Sequence, residues 1–300
     1  MKSTAEHLPK ISVITPTFNQ GAFIEKTINS VLSQNYPNLE FIIIDGGSTD
    51  NTVEIIKKYE QHLTYWVSEP DRGQSHAINK GMALATGDLL TWLNSDDWFT
   101  SGALQKFADI FSQYPDAGII AGAGQIVDQT GKIIYYKEPT DPITLETLYD
   151  WLDGGNFSQP SSIFTKEAWI RCGPLDESEH IAMDLDLWLK IARAGFQFIH
   201  LKELLSEALS HPDAKTTAFE SLMRLECLMV IAKHGGTAAL KTEILKMSQR
   251  IDNLTRRLNW YERNYEIIVN HPLTRLLRPI VKRLAKKDYY WQDKVPPWVK

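Results

Sequence analysis

The stretch Leu39–Thr52, LEFIIIDGGSTDNT, decides how the fold of this chain is read. Its first half is apolar on both faces, which is typical of a strand buried in a parallel sheet. Its second half is a turn of small and polar residues, in which one residue of Ser48–Asp50 could cap a following helix. Such a turn does not explain Asp45, a carboxylate at the very end of the buried strand. The stretch therefore predicts a strand, a turn and a helix, with a candidate functional acid at the bend.

The same rhythm of short β-branched runs and helical stretches continues on both sides, and it predicts an α/β fold with a mixed, mainly parallel sheet flanked by helices. The runs AGIIAGAGQIV and KIIYYKE favour a hairpin through DQTG, and the chain then reads as more irregular up to about His211. The other strand candidates are KISVITPTF, LTYWVSE and DLLTWLNSDD, and the helix candidates are Ala22–Gln34, Thr52–Tyr59, Ser75–Ala85 and Ala103–Phe111.

Composition describes an ordinary globular chain of 300 residues with 43% apolar and 23% charged residues. Its two cysteines, Cys172 and Cys227, lie far apart without CxxC or Cys/His spacing, so we expect neither a disulfide framework nor a structural zinc site. The N-terminus lacks the apolar core of a signal peptide, and no apolar run reaches the roughly 18 residues of a membrane span. We expect a cytoplasmic protein.

Charge is divided unevenly along the chain. Residues 236–300 hold 14 Lys and Arg against 6 Asp and Glu, which gives this segment a net charge of +8. Because the whole chain has a net charge of −5, the first 235 residues carry −13. A short basic segment behind an acidic body favours an anionic surface or a partner over nucleic acid. We divide the chain into a domain at 1–215, a helical extension at 216–268 and a basic tail at 269–300.

The helical extension carries a heptad pattern between residues 240 and 268. Its apolar residues alternate at spacings of four and three over about four heptads, which indicates a coiled coil and favours a homo-oligomer. The alternative is a long helix that docks on its own domain. The seam consists of Leu240, Ile244, Met247, Ile251, Leu254, Leu258, Tyr261, Tyr265 and Ile268.

The tail at 272–300 combines a basic amphipathic pattern with aromatic residues, including Trp291 and Trp298. Such a segment suits the membrane–water interface, so peripheral contact with the inner face of a membrane is one expectation. The alternative is a helix packed on protein, and Pro279 would kink it.

In open α/β sheets, ligands bind beyond the carboxyl ends of the strands. Strand one ends in TPTFNQG, strand two in DGGSTDNT, and a later strand in NSDDW. The first of these does not match the G-x-G-x-x-G turn of dinucleotide-binding folds, and a Walker loop is absent. The Gly-rich basic loop of sugar nucleotidyltransferases is absent too.

Four segments together resemble the family 2 glycosyltransferases, which are inverting enzymes of the GT-A fold. These are SVITPTFNQ, SVLSQNYPNLEFIIIDGGSTDNT, GDLLTWLNSDDW and AMDLDLWLKIARAG, in order between about Ile11 and His211. The resemblance implies that Thr15, Pro16 and Thr17 line the nucleotide and that Asp45 hydrogen-bonds its base. The implied donor-binding set is Thr15, Pro16, Thr17, Asn19, Asp45, Asp71, Gln74, Asn79, Asn94 and Ser95.

A nucleotide-sugar diphosphate carries negative charge that must be neutralised before it leaves, and Mg²⁺ or Mn²⁺ can do this as a Lewis acid. The family's Asp-x-Asp motif reads here as Asn94, Ser95 and Asp96, so Asp96 is the expected direct ligand. Asn94 and Asp97 are secondary candidates, and Asn94 could contact ribose or a metal-bound water instead. His211 matches a family histidine near the metal or diphosphate, with Lys215 close behind. The alternative is a plain turn and helix cap before Trp98.

Inverting displacement needs a general base for the acceptor hydroxyl. The family motif Glu-Asp-x-x-x-Trp places it at the start of a helix, and Asp184 matches the carboxylate, with Met183 in place of the preceding acid. Asp186 competes for the role, although it could be a first-turn acid. Gln159, Asp186 and Trp188 are expected on the acceptor side.

The resemblance implies a metal-dependent enzyme that transfers a sugar, from UDP in our expectation, to a glycan or lipid-linked acceptor in surface polysaccharide biosynthesis. The alternative is a catalytically inactive GT-A module that binds nucleotides or oligomerises, with Asn94 and Met183 as signs of decay. A nucleotide-sugar hydrolase or a nucleotidyltransferase on a related fold is a further alternative.

Overall fold

The computed structural model describes residues 8–154, 157–212, 214 and 220–270. One nine-stranded sheet dominates, in the order β3-β2-β1-β4-β8-β6-β9-β5, with β7 paired to β6. The strands are β1 Ile11–Thr17, β2 Leu39–Asp45, β3 Tyr65–Ser68, β4 Leu89–Trp92, β5 Asp97–Phe99, β6 Ala117–Val127, β7 Ile133–Lys137, β8 Ser162–Thr165 and β9 Gln197–Leu209.

Helices flank this sheet and extend the chain at its C-terminal end. They are α1 Ile24–Leu32, α2 Thr52–Lys58, α3 Gln74–Leu84, α4 Ala103–Gln113, α5 Leu145–Tyr149, α6 Lys166–Cys172, α7 Met183–Arg193, α8 Glu220–Lys233 and α9 Thr237–Asn270. The α/β class, the first helices and the β6–β7 hairpin agree with the sequence prediction.

The parallel half of the sheet explains the apolar run of β2. Ile42 and Ile44 belong to a core cluster on one face with residues of α3 and α7, whereas Phe41 and Ile43 belong to a second cluster on the other face with residues of α1 and α4. Because successive side chains point to opposite faces, a strand that is covered on both faces must be apolar at every position.

The second half of the sheet differs from the sequence prediction. Four of the eight strand pairings among the described residues are parallel, including the long β6–β9 pairing, and four are antiparallel. The mixed sheet agrees with the prediction, but its second half contains more regular strand than the sequence indicated. The region expected to be irregular contains β8 and the 13-residue β9, which pairs in parallel with β6 and antiparallel with β5. The β9 residues KELLSEAL favour a helix by propensity, and pairing on both edges overrides that preference.

A close contact positions α3 against the sheet. A Cβ atom at Gly81 would lie 2.4 Å from Cγ2 of Ile14 on β1, so only glycine permits this approach. The contact fixes α3, which begins at Gln74, beside the strand that ends at Thr17.

The chain divides into two compact units, which meet between Leu240 and Lys241. Helix α8 belongs to the first unit, where Cys227, Val230 and Ile231 join the core, whereas the sequence placed this segment in a separate extension. On α9 the seam residues Ile244, Met247, Ile251, Leu254 and Leu258 are exposed. The side chains of the last three seam residues and the tail at 272–300 lie outside the described residues. Across the described ranges, no helix is both long and apolar enough to cross a membrane.

Candidate functional site

The carboxyl ends of β1 and β2 meet in register, with Thr17 opposite Asp45. The hydroxyls of Thr15 and Thr17 are buried and have no hydrogen-bond partner among the described residues. Leaving a buried hydroxyl unpaired costs about 1–3 kcal/mol, which a polar ligand at this edge could offset. The strand end expected to line a nucleotide thus offers unused polar groups, with Pro16 buried between them.

Asp45 organises the turn that follows β2. Its Oδ2 accepts hydrogen bonds from the backbone N–H groups of Gly47 at 3.2 Å and Ser48 at 2.9 Å, and from Oγ of Ser68 at 2.5 Å. The Ser48 hydroxyl donates to Oδ1. The fully buried carboxylate therefore holds the turn and β3 together. Contact with a nucleotide base stays a prediction.

Asn19 joins the loop after β1 to that turn. Its N–H donates to Oγ of Ser48 at 2.7 Å, and its Oδ1 accepts from the N–H of Thr49 at 2.8 Å. Its φ of 52° lies in the left-handed region, which asparagine tolerates better than most residues. The predicted donor residues of β1 and β2 are thus brought into one connected edge.

Asp71 reaches the same edge from the loop before α3. A Cβ atom at Gly46 would lie 2.7 Å from its Oδ2, so the glycine allows this carboxylate to sit against the backbone after Asp45. The N–H of Gly73 donates to Oδ1 of Asp71 at 2.8 Å.

Asn94 links Gln74 to Asp97. Nε2 of Gln74 donates to Oδ1 of Asn94 at 2.7 Å, and Nδ2 of Asn94 donates to Oδ2 of Asp97 at 3.0 Å. Burial, and secondly the charge of Asp96, raises the pKa of Asp97 well above its usual range. With a neutral amide at Asn94, the segment from Asn94 to Asp97 has two carboxylates, Asp96 and Asp97, and not three. Asp97, the first residue of β5, accepts the hydrogen bond from this amide. Ser95, between them, is buried.

Asp96 and His211 form the pair expected to hold a metal ion. His211 Nε2 lies 3.1 Å from Asp96 Oδ2, and the His211 ring packs on Phe23 with centroids 4.6 Å apart. One carboxylate oxygen and one imidazole nitrogen fit Mn²⁺ better than Mg²⁺, which prefers oxygen ligands only. The residues described contain no cluster of three such side chains, so the remaining ligands would have to come from the substrate and water. Lys215 lies outside the described residues.

Asp184 lies in the first turn of α7. The N–H of Leu185 donates to its Oδ1 at 2.7 Å. Burial, with a smaller contribution from the charge of Glu226, raises the pKa of Asp184 to about 6 against the effect of that hydrogen bond. A carboxyl with such a pKa is a stronger base than an ordinary aspartate and is still ionised at neutral pH.

Asp186 takes a different place from the one predicted. It is fully buried, and its oxygens pair with Lys190 at 2.6 Å, Lys233 at 3.1 Å and His234 at 2.8 Å. Despite burial, hydrogen bonds from His234 and Lys190 hold the pKa of Asp186 far below its usual range. Asp186 is therefore a structural anion rather than an acceptor-side group or a competing base.

Trp188 is also buried, in contrast to its predicted acceptor-side position. Its ring lies in an aromatic cluster against Trp92, Phe157 and Phe164. Gln159 does reach the ligand edge, because its Nε2 donates to the carbonyl of Trp92 at 2.9 Å, where β4 ends. Whether it contacts an acceptor stays a prediction.

Asn79 has a structural role in the second turn of α3. Its amide exchanges two hydrogen bonds with the backbone of Leu175, at 3.0 and 2.9 Å. These bonds tie α3 to the segment that precedes α7. Donor contact by Asn79 stays a prediction.

Comparison with known proteins agrees with this geometry. The sequence model described as glycosyl transferase family 2 matches residues 12–173. The chain belongs to glycosyl transferase family 2. An uncharacterised glycosyltransferase of Mycobacterium tuberculosis is 39% identical over 190 residues, which cover 61% of this chain and 69% of that protein.

Two solved structures show the shared fold of this family 2 glycosyltransferase. Residues 1–349 of Staphylococcus aureus TarS in complex with UDP-GlcNAc align with a TM-score of 0.55 at 20% identity, covering 75% of this chain and 66% of that one. The chain spans 39% of the longer TarS chain. The mannosyltransferase PcManGT of Pyrobaculum calidifontis, in complex with GDP-Man and Mn²⁺, aligns with a TM-score of 0.57 at 16% identity, covering 96% and 89%.

The family match of this glycosyltransferase ends at residue 173, before Asp184. Two residues that contact the region around Asp184 were not predicted from the sequence. Glu226 and Lys233 on α8 contact the segment before α7 and α7 itself. Their partners lie more than 40 residues away along the chain, so no local pattern pointed to them.

Proposed function

We propose that this family 2 glycosyltransferase transfers a sugar with inversion from a nucleotide-sugar donor to a hydroxyl acceptor, with Asp184 as the general base. The observation that carries the proposal is the contrast between Asp184 and Asp186. Lys190, Lys233 and His234 hold Asp186, whereas none of the described residues forms an ion pair with Asp184, whose pKa lies at about 6.

In the proposed reaction, Asp184 accepts the proton of the acceptor hydroxyl as its oxygen attacks the anomeric carbon of the donor. The bond from that carbon to the diphosphate oxygen breaks on the opposite face, and the nucleoside diphosphate leaves with the bonding electron pair. A single displacement of this kind inverts the anomeric centre.

The pair Asp96 and His211 would hold Mn²⁺ or Mg²⁺, with the imidazole favouring Mn²⁺. The metal would supply positive charge to the diphosphate. We further propose that Asn94 places its amide beside this pair without adding charge, and that Gln74 orients Asn94 through their 2.7 Å hydrogen bond.

For the donor, we propose a UDP-linked hexose or N-acetylhexosamine. The structural relatives were solved with UDP-GlcNAc and with GDP-Man, so guanosine donors are the first competitor. We propose Thr15, Thr17, Asp45 and Asp71 as the nucleotide-side contacts, since all four lie at the joined ends of β1 and β2 or against them.

For the acceptor, we propose a glycan or lipid-linked glycan of surface polysaccharide assembly, reached at the cytoplasmic face of a membrane. The basic amphipathic sequence at 272–300 supports this proposal. Liposome flotation with anionic vesicles tests it, and equal flotation with neutral vesicles would contradict it.

We propose that the chain self-associates through residues 240–268. Ile251, Leu254 and Leu258 on α9 are each more than half exposed in the isolated chain, which supports a partner helix on that seam. Light scattering of Ile251→Glu beside the parent chain tests this. A parent chain that is already a monomer would contradict it.

The decisive experiment is a screen of UDP-, GDP- and dTDP-sugars with Mn²⁺ for release of free nucleotide diphosphate. We expect one donor class to turn over and Asp184→Asn to abolish its turnover. Asp109→Asn, an exposed aspartate on α4, is the matched control. Nucleotide binding without turnover of any donor would favour the inactive module, and unchanged turnover in Asp184→Asn would remove the base assignment.

A further inference from the structure

Helix α8 holds the start of α7 through one carboxylate. Oε1 of Glu226 accepts hydrogen bonds from the N–H groups of Ile181 at 2.6 Å and Ala182 at 2.9 Å. Ala182 is the residue before α7, and its own side chain cannot cap the helix. Glu226 supplies from a distant helix the acceptor for the N-cap N–H that a glutamate at the third helical position provides in a capping box.

The same helix fixes the preceding segment through Lys233. Its Nζ lies 3.1 Å from Oδ2 of Asp176, 3.3 Å from Oε1 of Glu179 and 3.1 Å from Oδ1 of Asp186. One cation therefore joins two points of the segment before α7 to the first turn of α7.

Helix α3 and the loop before it hold the other side of this segment. Arg72 donates to both carboxylate oxygens of Glu177, at 2.9 and 3.0 Å, and Oγ of Ser75 donates to the carbonyl of Glu179 at 3.3 Å. The segment that leads to Asp184 thus lies between the helix behind the donor edge and α8.

We propose that Glu226 is a positioning residue for the general base: by fixing the backbone of Ile181 and Ala182, it sets where Asp184, two residues later, meets the acceptor. The inference rests on the proposed role of Asp184. A displacement of about 1 Å at a reacting group can cost on the order of 100-fold in rate, so an anchor this close to the base acts on catalysis.

Charge gives Glu226 a second effect that a purely structural cap would lack. Its carboxylate acts on Asp184 across the α7–α8 contact, and the charges of Asp184 and Glu226 both act on the neighbouring thiol of Cys227 on α8. Burial, with the charges of Asp184 and Glu226, raises the pKa of Cys227 to about 12 despite Arg224, so the thiol stays neutral in the working range. Removal of the Glu226 charge should therefore favour ionised Asp184.

Two variants separate position from charge. Glu226→Gln keeps an oxygen that can accept both N–H groups but loses the charge. We expect its kcat at pH 8 to stay within about threefold of the parent value, and the acid limb of its pH profile to move to lower pH. Glu226→Ala loses the acceptor too, and we expect its kcat to fall about 10- to 100-fold with the donor KM within about twofold. Glu167→Gln, an exposed glutamate on α6, is the charge-matched control.

Hydrogen exchange of the backbone amides of Ile181 and Ala182 completes the test, because it needs no turnover. We expect faster exchange in Glu226→Ala and parent-like exchange in Glu226→Gln. Parent-like kcat or parent-like exchange in Glu226→Ala would overturn the proposal, as would an unshifted pH profile in Glu226→Gln. If the parent chain turns over no donor, the proposed function fails, and the exchange result alone reports whether the anchor exists.

Discussion

The indole rings of Trp92 and Trp188 stack with centroids 5.7 Å apart and planes within 10°. Trp92 is the last residue of β4, two residues before Asn94, and Trp188 lies one helical turn after Asp184. Because both rings are nearly inaccessible to solvent, this stack is a rigid link between the strand that leads to the proposed metal ligand Asp96 and the helix that carries the proposed base.

Two replacements of Trp188 should distinguish the contribution of the ring volume to stability from that of the indole N–H. We expect Trp188→Ala to lower the free energy of unfolding by about 4 kcal/mol, because it leaves a large cavity. Trp188→Phe should cost less than half as much, since it keeps an aromatic ring and removes an N–H that is buried without a partner among the described residues. Urea unfolding measures both, and equal losses would contradict the packing argument.

Activity should fall as Asp184 becomes protonated. Because burial raises the pKa of this group from 3.8 to about 6, the base is ionised above that pH and neutral below it. We expect kcat to decline tenfold per pH unit below about 6, and Asp184→Asn to lower kcat by roughly 100-fold or more at pH 8. A pH-independent kcat between 5 and 8 would argue against Asp184 as the base.

Metal dependence should pass through Asp96 and His211. We expect His211→Ala to raise the Mn²⁺ concentration needed for half-maximal activity about 10- to 100-fold, and Asp96→Asn to raise it at least as much. Titration of metal-stripped enzyme with Mn²⁺ measures the effect, with His62→Ala on the surface as control. Parent-like titration of both variants would remove the metal assignment.

Asn94 should not tolerate a return to the family's aspartate. In Asn94→Asp, the donor to Asp97 becomes a second acceptor 3.0 Å from Oδ2 of Asp97, where two partly buried oxygens repel each other. We expect a loss of about 1–3 kcal/mol in the free energy of unfolding at pH 7. Asn94→Gln, which keeps the amide, controls for the change of side chain.

Glu40, at the amino end of β2, should make the stability of the fold sensitive to acid. Although burial opposes ionisation, hydrogen bonds from Lys10, Ser12 and Thr86 lower the pKa of Glu40 from 4.5 to about 2. Its contribution to stability is therefore present above about pH 4.5 and is lost as the pH falls toward 2. We expect Glu40→Gln to destabilise the chain at pH 7 and to converge with the parent in acid, as urea titrations at both pH values would show.

Local pattern predicted what local forces determine. The apolar run of β2 predicts a strand covered on both faces, and the periodicity of α1 predicts a helix with one buried face. The strand β9 and the ion cluster of Asp186 depend on groups far away in sequence, and nothing near Asp186 shows that His234 will meet it. Asp96 and His211 lie in contact, and their role as metal ligands stays a prediction. Trp188 and Asp186 are buried, which the sequence did not indicate because a sequence motif does not encode exposure.

The contact between Asp96 and His211 joins residues 115 positions apart, and β9 brings the second of them into place. During synthesis, the strands β1–β4 can therefore pair before His211 is present to contact Asp96. Any ion that requires both will bind the finished sheet and not its precursors, so binding adds to the stability of the complete fold alone. In this molecule the proposed metal site would therefore form only when the sheet is complete.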